Sequence, residues 1–263
     1  MKEPVKILFE DEHLIVINKA EGLLSVGTSR GRDEVTAHSL LNNYVRNSAP
    51  RGRYSPRGPQ PRVFIVHRLD RETSGLMVFA KSEEIKRLLQ DNWEEAVTHR
   101  GYVAVINSSG KIAQTGEARV EYLIEEDENG KERLNHNEGR ITSWLKENRA
   151  MVVYSSAKNN GGQIAITDYK ILATNPRKNK TLLQLELHTG RKNQIRVHMQ
   201  EIGSPIWGDR KYFGENPAHL AENKKADRLY LHAYTLNFIH PATGKEMKFT
   251  TGIPRSFIAA VGR

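Results

Sequence analysis

The sequence predicts an α+β fold, in which mainly antiparallel strands are interrupted by a few helices. Three observations point to this class. Residues 5–19, "VKILFEDEHLIVINK", hold two β-rich runs around a polar turn, as in a hairpin. Residues 165–174 and 181–190, "AITDYKILAT" and "TLLQLELHTG", have the pattern of an antiparallel pair. Residues 228–254, "RLYLHAYTLNFIHPATGKEMKFTTGIP", have the pattern of a strand hairpin that turns at "HPATGK".

Between these pairs, four segments carry apolar residues at helical spacing. They are "VTAHSLLNNYVRN" (35–47), "EEIKRLLQDNWEEA" (83–96), "EGRITSWLKENR" (138–149) and "RKNQIRVHMQEIG" (191–203). We expect the last of these helices to stop at Gly203, because Pro205 follows closely. Further short strands are predicted at 63–66, 76–80 and 100–106.

The length of 263 residues allows a substantial core in one large domain or two small ones, and we expect a single domain over residues 1–263. Two segments interrupt it. Residues 48–62, "SAPRGRYSPRGPQPR", contain four prolines, four arginines and no acid, which predicts an irregular basic loop. Residues 111–165 are polar and mixed, and we interpret them as an excursion from the core.

The charge balance favours a polyanionic partner. The chain has 40 Lys and Arg against 31 Asp and Glu, a net charge of +9. It has no cysteine, which excludes disulfides, zinc–thiolate sites and cysteine nucleophiles. We find no apolar stretch of membrane-span length and no signal-peptide pattern, so we expect a cytoplasmic protein without membrane contacts.

Several common catalytic motifs are missing from the sequence. There is no GxxxxGK[ST] or GxGxxG phosphate-binding loop, and no HExxH metal motif. The stretch "SVGTS" (25–29) is only loosely similar to the turn of a serine hydrolase. We therefore expect neither a metal nor an organic cofactor.

The segment "VHRLDRETSGLMVFAKS" (66–82) places Asp70 between Arg68 and Arg71, with apolar strands on both sides. An aspartate among arginines is often a solvated turn residue. Here the connection between the two predicted strands is short, and loops on a rigid scaffold often carry catalytic groups. Asp70 is therefore a candidate nucleophile or general base.

A second arginine-rich segment, "LHTGRKNQIRVHMQ" (187–200), contains a helix on which Ile195 and Met199 lie four apart and should pack inward. Arg196 then lies at the border of the buried face, where it can pair with a carboxylate. The alternative is a basic helix face that contacts only solvent or RNA. In "HRGYVAV", Tyr102 is either a packed ring or a platform for a nucleobase.

Taken together, these segments resemble the RluA-type pseudouridine synthases. The likeness rests on "VHRLDRETSGLMVFAKS", "RGYVAV", "LHTGRKNQIRVH" with "GSPIWGD", and "LYLHAYTLNFIHPATGKEMKFTTGIP", in this order, and it covers nearly the whole chain. Members of this family isomerise uridine in structured RNA to its C-glycoside. The sequence departs from the family pattern at Ala20, where proline is more usual, and at Asn193, where histidine is more usual.

The resemblance implies a long, mainly antiparallel mixed sheet that is split by a basic cleft and flanked by helices. It also implies a role for six residues. The catalytic ones are the essential aspartate Asp70, the base-stacking Tyr102 and the aspartate's basic partner Arg196. The substrate-binding ones are Arg68, Arg191 and the apolar Leu231. Many members carry a small N-terminal RNA-binding domain, whereas we expect none here, so the basic loop and the polar excursion are candidates for gripping RNA.

The implied reaction breaks the N1–C1′ bond of uridine, turns the uracil and joins C5 to C1′, without a cofactor or a metal. Asp70 either attacks as a nucleophile or removes a sugar proton to give a glycal. The expected partner of this monomeric enzyme is a stem-loop of ribosomal or transfer RNA. Two alternatives remain open, an RNA-binding protein without activity and a nucleic-acid glycosidase that uses Glu72 as a second carboxylate.

Overall fold

The computed structural model describes residues 3–27, 34–48, 58, 60–108, 110, 112, 118–126, 132–159, 161–213 and 217–262. Most of the predicted basic loop (49–57 and 59) and parts of the predicted polar excursion (111, 113–117, 127–131 and 160) lie outside these residues.

The described residues form twelve strands and six α-helices. The strands are β1 (Val5–Glu10), β2 (Leu14–Lys19), β3 (Phe64–Ile65), β4 (Ser74–Ala80), β5 (His99–Asn107), β6 (Arg119–Glu126), β7 (Glu132–Glu147), β8 (Val153–Ser156), β9 (Gln163–Asn175), β10 (Lys180–Leu187), β11 (Leu231–Ile239) and β12 (Glu246–Thr250). The helices are α1 (Ala37–Ser48), α2 (Glu83–Asp91), α3 (Trp93–Ala96), α4 (Gln194–Glu201), α5 (Pro217–Asn223) and α6 (Arg255–Val261). A 3-10 helix spans Pro176–Lys178. This content confirms the predicted α+β class.

The chain divides into two compact units. The first unit comprises Met1–His99 and Ala233–Gly252, and the second comprises Arg100–His232 and Ile253–Arg263. In the first unit the strand order is β1-β2-β4-β11, with β3 on β4 and β12 on β11. The two predicted hairpins, β1–β2 and β11–β12, are both antiparallel and are thereby confirmed.

The core of the first unit lies between its sheet and α2. Strand β4 is buried along its whole length, and β2 is buried at all but one position, since both strands have neighbours on each side. Ile85 and Leu89 of α2 pack against Val78 of β4 and Phe238 of β11. Helix α2 begins where the Ser82 hydroxyl accepts the Ile85 N–H, which is a typical N-cap.

The second unit is built on the strand order β5-β10-β9-β7-β6, with β8 on β7. All of its paired neighbours are antiparallel, including the predicted pair β9–β10. Helix α4 packs on one end of this sheet, where Leu145, Val153 and Ala165 form a core with Val197 and Tyr212. The predicted polar excursion therefore supplies three strands, β6 to β8, to the sheet.

The helix predicted over residues 138–149 is wrong, because residues 138–147 belong to the long strand β7 and the next two begin a turn. Ile141 and Leu145 are four apart and fit a helix, but they also fit a strand in which Ser143 completes the buried face. The buried serine conceals this alternation in the sequence. Strand β7 is fixed by hydrogen bonds to β6 on one side and to β9 on the other. The sequence prediction also missed α5 and the C-terminal α6.

Gly75 allows β4 to approach β11 closely in the first unit. Its φ of +124° lies in a region that side chains disfavour, and a Cβ there would lie 2.2 Å from the Ala233 carbonyl oxygen. The neighbouring backbone nitrogen of Ala233 would be 2.6 Å away. Because backbone atoms inside a sheet cannot move aside cheaply, this position requires glycine.

We predict that Gly75→Ala lowers the free energy of unfolding by roughly 3 kcal/mol or more, through the clash and the strained φ together. Gly244→Ala is the matched control, because Gly244 also has a positive φ, +68°, but a methyl group at this position would have no other atom within 4 Å. The control should lose only about 1 kcal/mol. Denaturant unfolding of the two variants measures both changes, and equal losses would contradict the proposed close contact.

Candidate active site

Asp70 lies on the connection between β3 and β4 in the first unit. These two strands are hydrogen-bonded to each other, with Phe64 opposite Ala80, so the predicted strands on either side of Asp70 are present. The Asp70 carbonyl accepts the Thr73 N–H at 3.2 Å, and residues 70–73 therefore form a turn. The side chain of Asp70 is half-buried.

The backbone on both sides of Asp70 is held by buried polar groups. Before it, the Ser25 hydroxyl donates to the Leu69 carbonyl at 2.7 Å and accepts the Leu69 N–H at 3.1 Å. After it, the Arg71 carbonyl accepts from the Lys19 ammonium at 3.3 Å and from the Gly22 N–H at 2.9 Å. Lys19 is 0% exposed and Ser25 is 3% exposed. The position of Asp70 is thus fixed by the core of its unit.

The two arginines that flank Asp70 in the sequence have different surroundings. Arg71 donates from Nη2 to Glu34 at 3.0 Å and from Nε to the Gly22 carbonyl at 3.2 Å. Arg68 is exposed, and its side chain bonds to no residue in the described part of the chain. Glu72 is exposed within the turn. Because the stretch is not extended, it does not place Glu72 on the same side as Asp70, which weighs against the glycosidase alternative.

Tyr102 and Leu231 lie in the second unit. Tyr102 is a half-buried residue of β5, opposite Leu185 of β10. Leu231 is 4% exposed and begins β11. The preceding residue, Tyr230, accepts the Val105 N–H at 3.0 Å through its carbonyl, so β11 starts beside the strand that carries Tyr102.

Arg196 forms a buried ion pair with Asp209 in the second unit. Its Nε lies 2.7 Å from one carboxylate oxygen and its Nη2 lies 2.9 Å from the other. Arg196 is 7% exposed and Asp209 is 0% exposed. The predicted border position is therefore wrong, because α4 is buried on all sides from Gln194 to Met199. The inward packing predicted for Ile195 and Met199 is confirmed.

Tyr212 and Asn193 complete the surroundings of Arg196. The guanidinium carbon lies 5.1 Å from the centre of the Tyr212 ring, which is within the range of a cation–π contact. The Tyr212 hydroxyl accepts from the Asn193 side chain at 2.9 Å. Asn193 has a φ of +56°, a conformation that asparagine tolerates well. Asparagine at position 193, where the family more usually has histidine, is thus compatible with the local backbone. Nearby, the Arg191 Nε donates to the Ile164 carbonyl at 3.0 Å.

Helix α4 is attached to the sheet by buried polar side chains. The Gln194 amide donates to the Ile166 carbonyl and to the Thr167 hydroxyl, at 3.0 and 2.9 Å. His198 bonds through Nδ1 to Thr167 and through Nε2 to Ser143, at 2.9 and 3.1 Å. Complete burial lowers the pKa of His198 to about 3, so this ring is neutral in the folded protein at neutral pH.

A cavity of about 550 Å³ lies over strands β6, β7, β9 and β10, and none of the six predicted site residues lines it. Two of its lining charges are paired, since Arg140 binds both oxygens of Asp168 at 2.7 and 2.9 Å. His188 bonds to Asp168 at 2.7 Å. Burial raises the pKa of Asp168, but the hydrogen bonds from Arg140 and His188 outweigh it and hold this pKa below its usual value.

Within the part of the chain that the structure describes, no group of three or more His, Asp or Glu side chains could hold a metal ion. No helix in the described ranges is long and apolar enough to cross a bilayer.

Comparison with known proteins decides the family. Residues 13–201 match the model of a family described as RNA pseudouridylate synthase. The ribosomal large subunit pseudouridine synthase D of Zymomonas mobilis is 30% identical over 254 residues, which are 96% of this chain and 70% of that protein. The chain belongs to the RluA-type family of RNA pseudouridine synthases. It is therefore an isomerase that acts on RNA.

Other members of the family are similar over comparable lengths. The synthase D of Escherichia coli O6:H1 is 31% identical over 265 residues, which cover 98% of this chain and 70% of that one. Among solved structures, the human RNA pseudouridylate synthase domain-containing proteins 4 and 1 have TM-scores of 0.63 and 0.65, with 22% and 18% identity. Each covers 97% of this chain, and the matches cover 90% and 87% of the human chains. These two similarities support the fold.

Sequence reasoning missed the residues that hold the site together. The sequence marks Ser25 only through a loose likeness to a serine nucleophile, whereas its hydroxyl binds the backbone next to Asp70. Lys19 and Asp209 gave no signal of burial, since an isolated Lys or Asp in a sequence usually predicts a surface position. Tyr212 could have been found only through its contact with Arg196, which depends on the fold.

We predict that His198 contributes to the acid sensitivity of the fold. Below pH about 6.5 the unfolded chain binds a proton at this histidine, while the folded chain does not until about pH 3. The neutral, buried His198 therefore stabilises the fold above pH 6.5, and this stabilisation is lost progressively as the pH falls from about 6.5 to about 3. In His198→Gln, the decrease in unfolding free energy from pH 7 to pH 5 should be smaller than in the wild type by roughly 2 kcal/mol.

Denaturant unfolding at the two pH values measures this difference. The exposed His136 provides the control, since His136→Gln should keep the pH dependence of the wild type. An unchanged pH dependence in His198→Gln would contradict a neutral, buried His198.

Proposed function

We propose that this protein converts a uridine of large-subunit ribosomal RNA to pseudouridine, with Asp70 as the catalytic carboxylate. The observation that carries the proposal is the connection at Asp70, whose backbone is held at Leu69 by Ser25 and at Arg71 by Lys19. A carboxylate on a fixed backbone is preorganised for one reaction geometry, as nucleophilic and proton-transfer steps both require. A solvated turn residue needs no such support.

The other predicted residues have roles that fit their surroundings. The Tyr102 ring stacks on the target base, which requires a half-exposed position on a strand. Arg196 stabilises the negative charge of the reacting carboxylate, and its pair with Asp209 keeps the guanidinium in one orientation. Arg68, exposed in the described structure, and Arg191 bind RNA phosphates. Leu231 packs at the reacting base.

We further propose that the two units act as one catalytic domain, in a monomer located in the cytoplasm. The support is that the family match, residues 13–201, runs across the boundary between His99 and Arg100. The matched residues therefore come from both units. The reaction exchanges one bond to C1′ for another, so its balance requires no redox cofactor.

The choice of ribosomal over transfer RNA rests on the two bacterial relatives above, which are both named as ribosomal large subunit pseudouridine synthases. The proposed substrate is a compact stem-loop whose target uridine leaves the stack. Flipping a base out of a stack costs a few kcal/mol, which phosphate contacts and a stacking ring can offset.

We predict that Asp70→Asn lowers the rate of pseudouridine formation by roughly 10²- to 10⁴-fold or more, because it removes the reacting charge at nearly constant size. Glu72→Gln is the matched control, since it neutralises an exposed carboxylate two residues away and should keep the wild-type rate. RNA labelled in uridine is incubated with each variant, and pseudouridine and free uracil are measured. Wild-type turnover by the asparagine variant would refute the role of Asp70, and release of uracil by the wild type would favour a glycosidase.

We predict that a strain lacking this protein has lost pseudouridine at a site in large-subunit ribosomal RNA. Mapping pseudouridines in total RNA of this strain and of its parent locates the site, and restoring the gene should restore the modification. Restoring an Asp70→Asn copy should not. A loss confined to transfer RNA would overturn the ribosomal assignment.

A further inference from the structure

The hairpin formed by β7 and β8 presents an unusual turn to solvent. Met151 at this turn has a φ of +61° and is 65% exposed. The turn is held by the Asn148 side chain, whose oxygen accepts the N–H groups of Ala150 and Val152 at 2.9 and 3.0 Å. A left-handed conformation is costly for methionine, and exposure of its apolar side chain gives no packing in return. The fold alone does not explain this residue.

The surface around the turn is strongly basic. We define the hairpin surface as residues 144–158 together with Lys192, Arg210 and Lys211. It has six basic side chains: Lys146, Arg149, Lys158, Lys192, Arg210 and Lys211. Its single acidic residue, Glu147, forms an ion pair with Lys192. The whole chain, by contrast, has 40 basic residues against 31 acidic ones.

Several contacts bring these residues together. The Lys211 ammonium donates to the Met151 carbonyl at 3.0 Å, and the pair of Lys192 with Glu147 joins the start of α4 to the end of β7. The side chains of Arg149, Lys158 and Arg210 bond to no other residue within the described ranges. Their charges are therefore not neutralised by neighbouring described side chains.

The hairpin is also attached firmly to the helix that carries Arg196. Leu145 and Val153 of the hairpin pack with Val197 of α4 in a shared core. The Val153 N–H donates to the Tyr212 hydroxyl at 3.1 Å. Since the ring of Tyr212 lies over Arg196, the hairpin surface has a fixed position relative to this arginine.

A partner for this surface needs closely spaced negative charges and flat groups that an apolar side chain can contact. A strand of RNA supplies both, through its phosphates and its bases. Tyr154, which is 41% exposed and lies opposite Lys146, adds an aromatic ring to the same surface.

We propose that the hairpin surface binds a strand of the substrate RNA, with the basic side chains on phosphates and Met151 against a base or a sugar. This inference rests on the proposed function, and it adds a further RNA contact at the β7–β8 hairpin. The left-handed turn at Met151 holds an apolar side chain out of the core, where RNA can cover it.

The test compares two triple variants of the full-length protein. The first, Arg149→Gln with Lys158→Gln and Arg210→Gln, removes three of the charges without breaking any bond between described residues. The control, Arg177→Gln with Lys224→Gln and Arg255→Gln, removes three exposed charges in the same unit.

The control charges lie at the other end of the sheet. Gln163 at the start of β9 pairs with Leu145 of β7, whereas Arg177 follows the far end of β9, roughly 40 Å along the strand. Helix α5 is joined to this far end by the ion pair of Glu222 with Lys180, and α6 is joined to it by the Asn175 amide, which donates to the Gly262 carbonyl at 3.0 Å.

Binding is measured over a range of salt concentrations, with ribosomal RNA from a strain that lacks the protein as the probe. Each lost phosphate contact lowers the log–log salt slope by roughly 0.7–0.9, so the hairpin triple variant should lower it by about 2 to 3. The control variant should leave the slope unchanged. An unchanged slope in the hairpin variant, or equal decreases in both variants, would overturn the proposal. The proposal would also be overturned if the hairpin variant lost its binding to anionic lipid vesicles but kept its binding to RNA.

Met151→Gly separates a role in binding from a role in folding. Glycine accepts a φ of +61° without strain, so the variant should be at least as stable as the wild type. Its RNA affinity should nevertheless fall by roughly fivefold, at the lower end of the loss for one base contact. Unchanged affinity would refute the contact at Met151.

The same RNA preparation tests the proposed function and the assignment of the hairpin separately. Wild-type protein that forms no pseudouridine in this RNA would refute the proposed function. Wild-type protein that is active, together with a hairpin variant that binds normally, would refute the assignment of the hairpin alone.

Discussion

The buried ammonium of Lys19 is the constraint on which the first unit depends. A charge that is removed from water must find polar partners, and Lys19 finds them in the carbonyls of Ala20, Leu23 and Arg71. These carbonyls lie on two separate stretches of chain, the one that follows β2 and the one that carries Asp70. Neither stretch can move away without leaving the charge unsolvated. The ammonium thereby makes a surface connection as well fixed as the core.

The second unit uses a related arrangement for Arg196. Its guanidinium is held by the carboxylate of Asp209, which in turn accepts the backbone N–H groups of Lys211 and Tyr212, both at 2.8 Å. Removing either partner would leave an uncompensated charge in the interior, which is strongly destabilising. In both units a proposed site residue thus depends on a buried ionic group that the sequence does not mark as unusual.

The sequence was sufficient for the α+β class and for the antiparallel pairs, because alternation of apolar and polar residues reports local structure directly. It failed where one pattern of apolar residues fits both a helix and a strand. In residues 138–149, hydrogen bonds to the neighbouring strands determine which of the two forms. It also failed for Arg196, since helical spacing identifies the most apolar face but does not show that other segments cover the remaining faces. Asp70 and Tyr102 were candidates from their segments, and the likeness to a family gave each a specific role, whereas the contacts of Ser25 and Asp209 required coordinates.

The division of the chain has a consequence for its synthesis on the ribosome. Strand β4 is buried on its whole length between β2 and β11, yet β11 follows it by about 150 residues. Because the N-terminus is synthesised first, β4 remains an apolar edge strand, which can pair with other chains, until β11 has been made. The first unit can complete its sheet only after the second has almost entirely been translated. We therefore expect nascent chains that stop before β11 to aggregate or to recruit chaperones, although they contain the Asp70 segment in full.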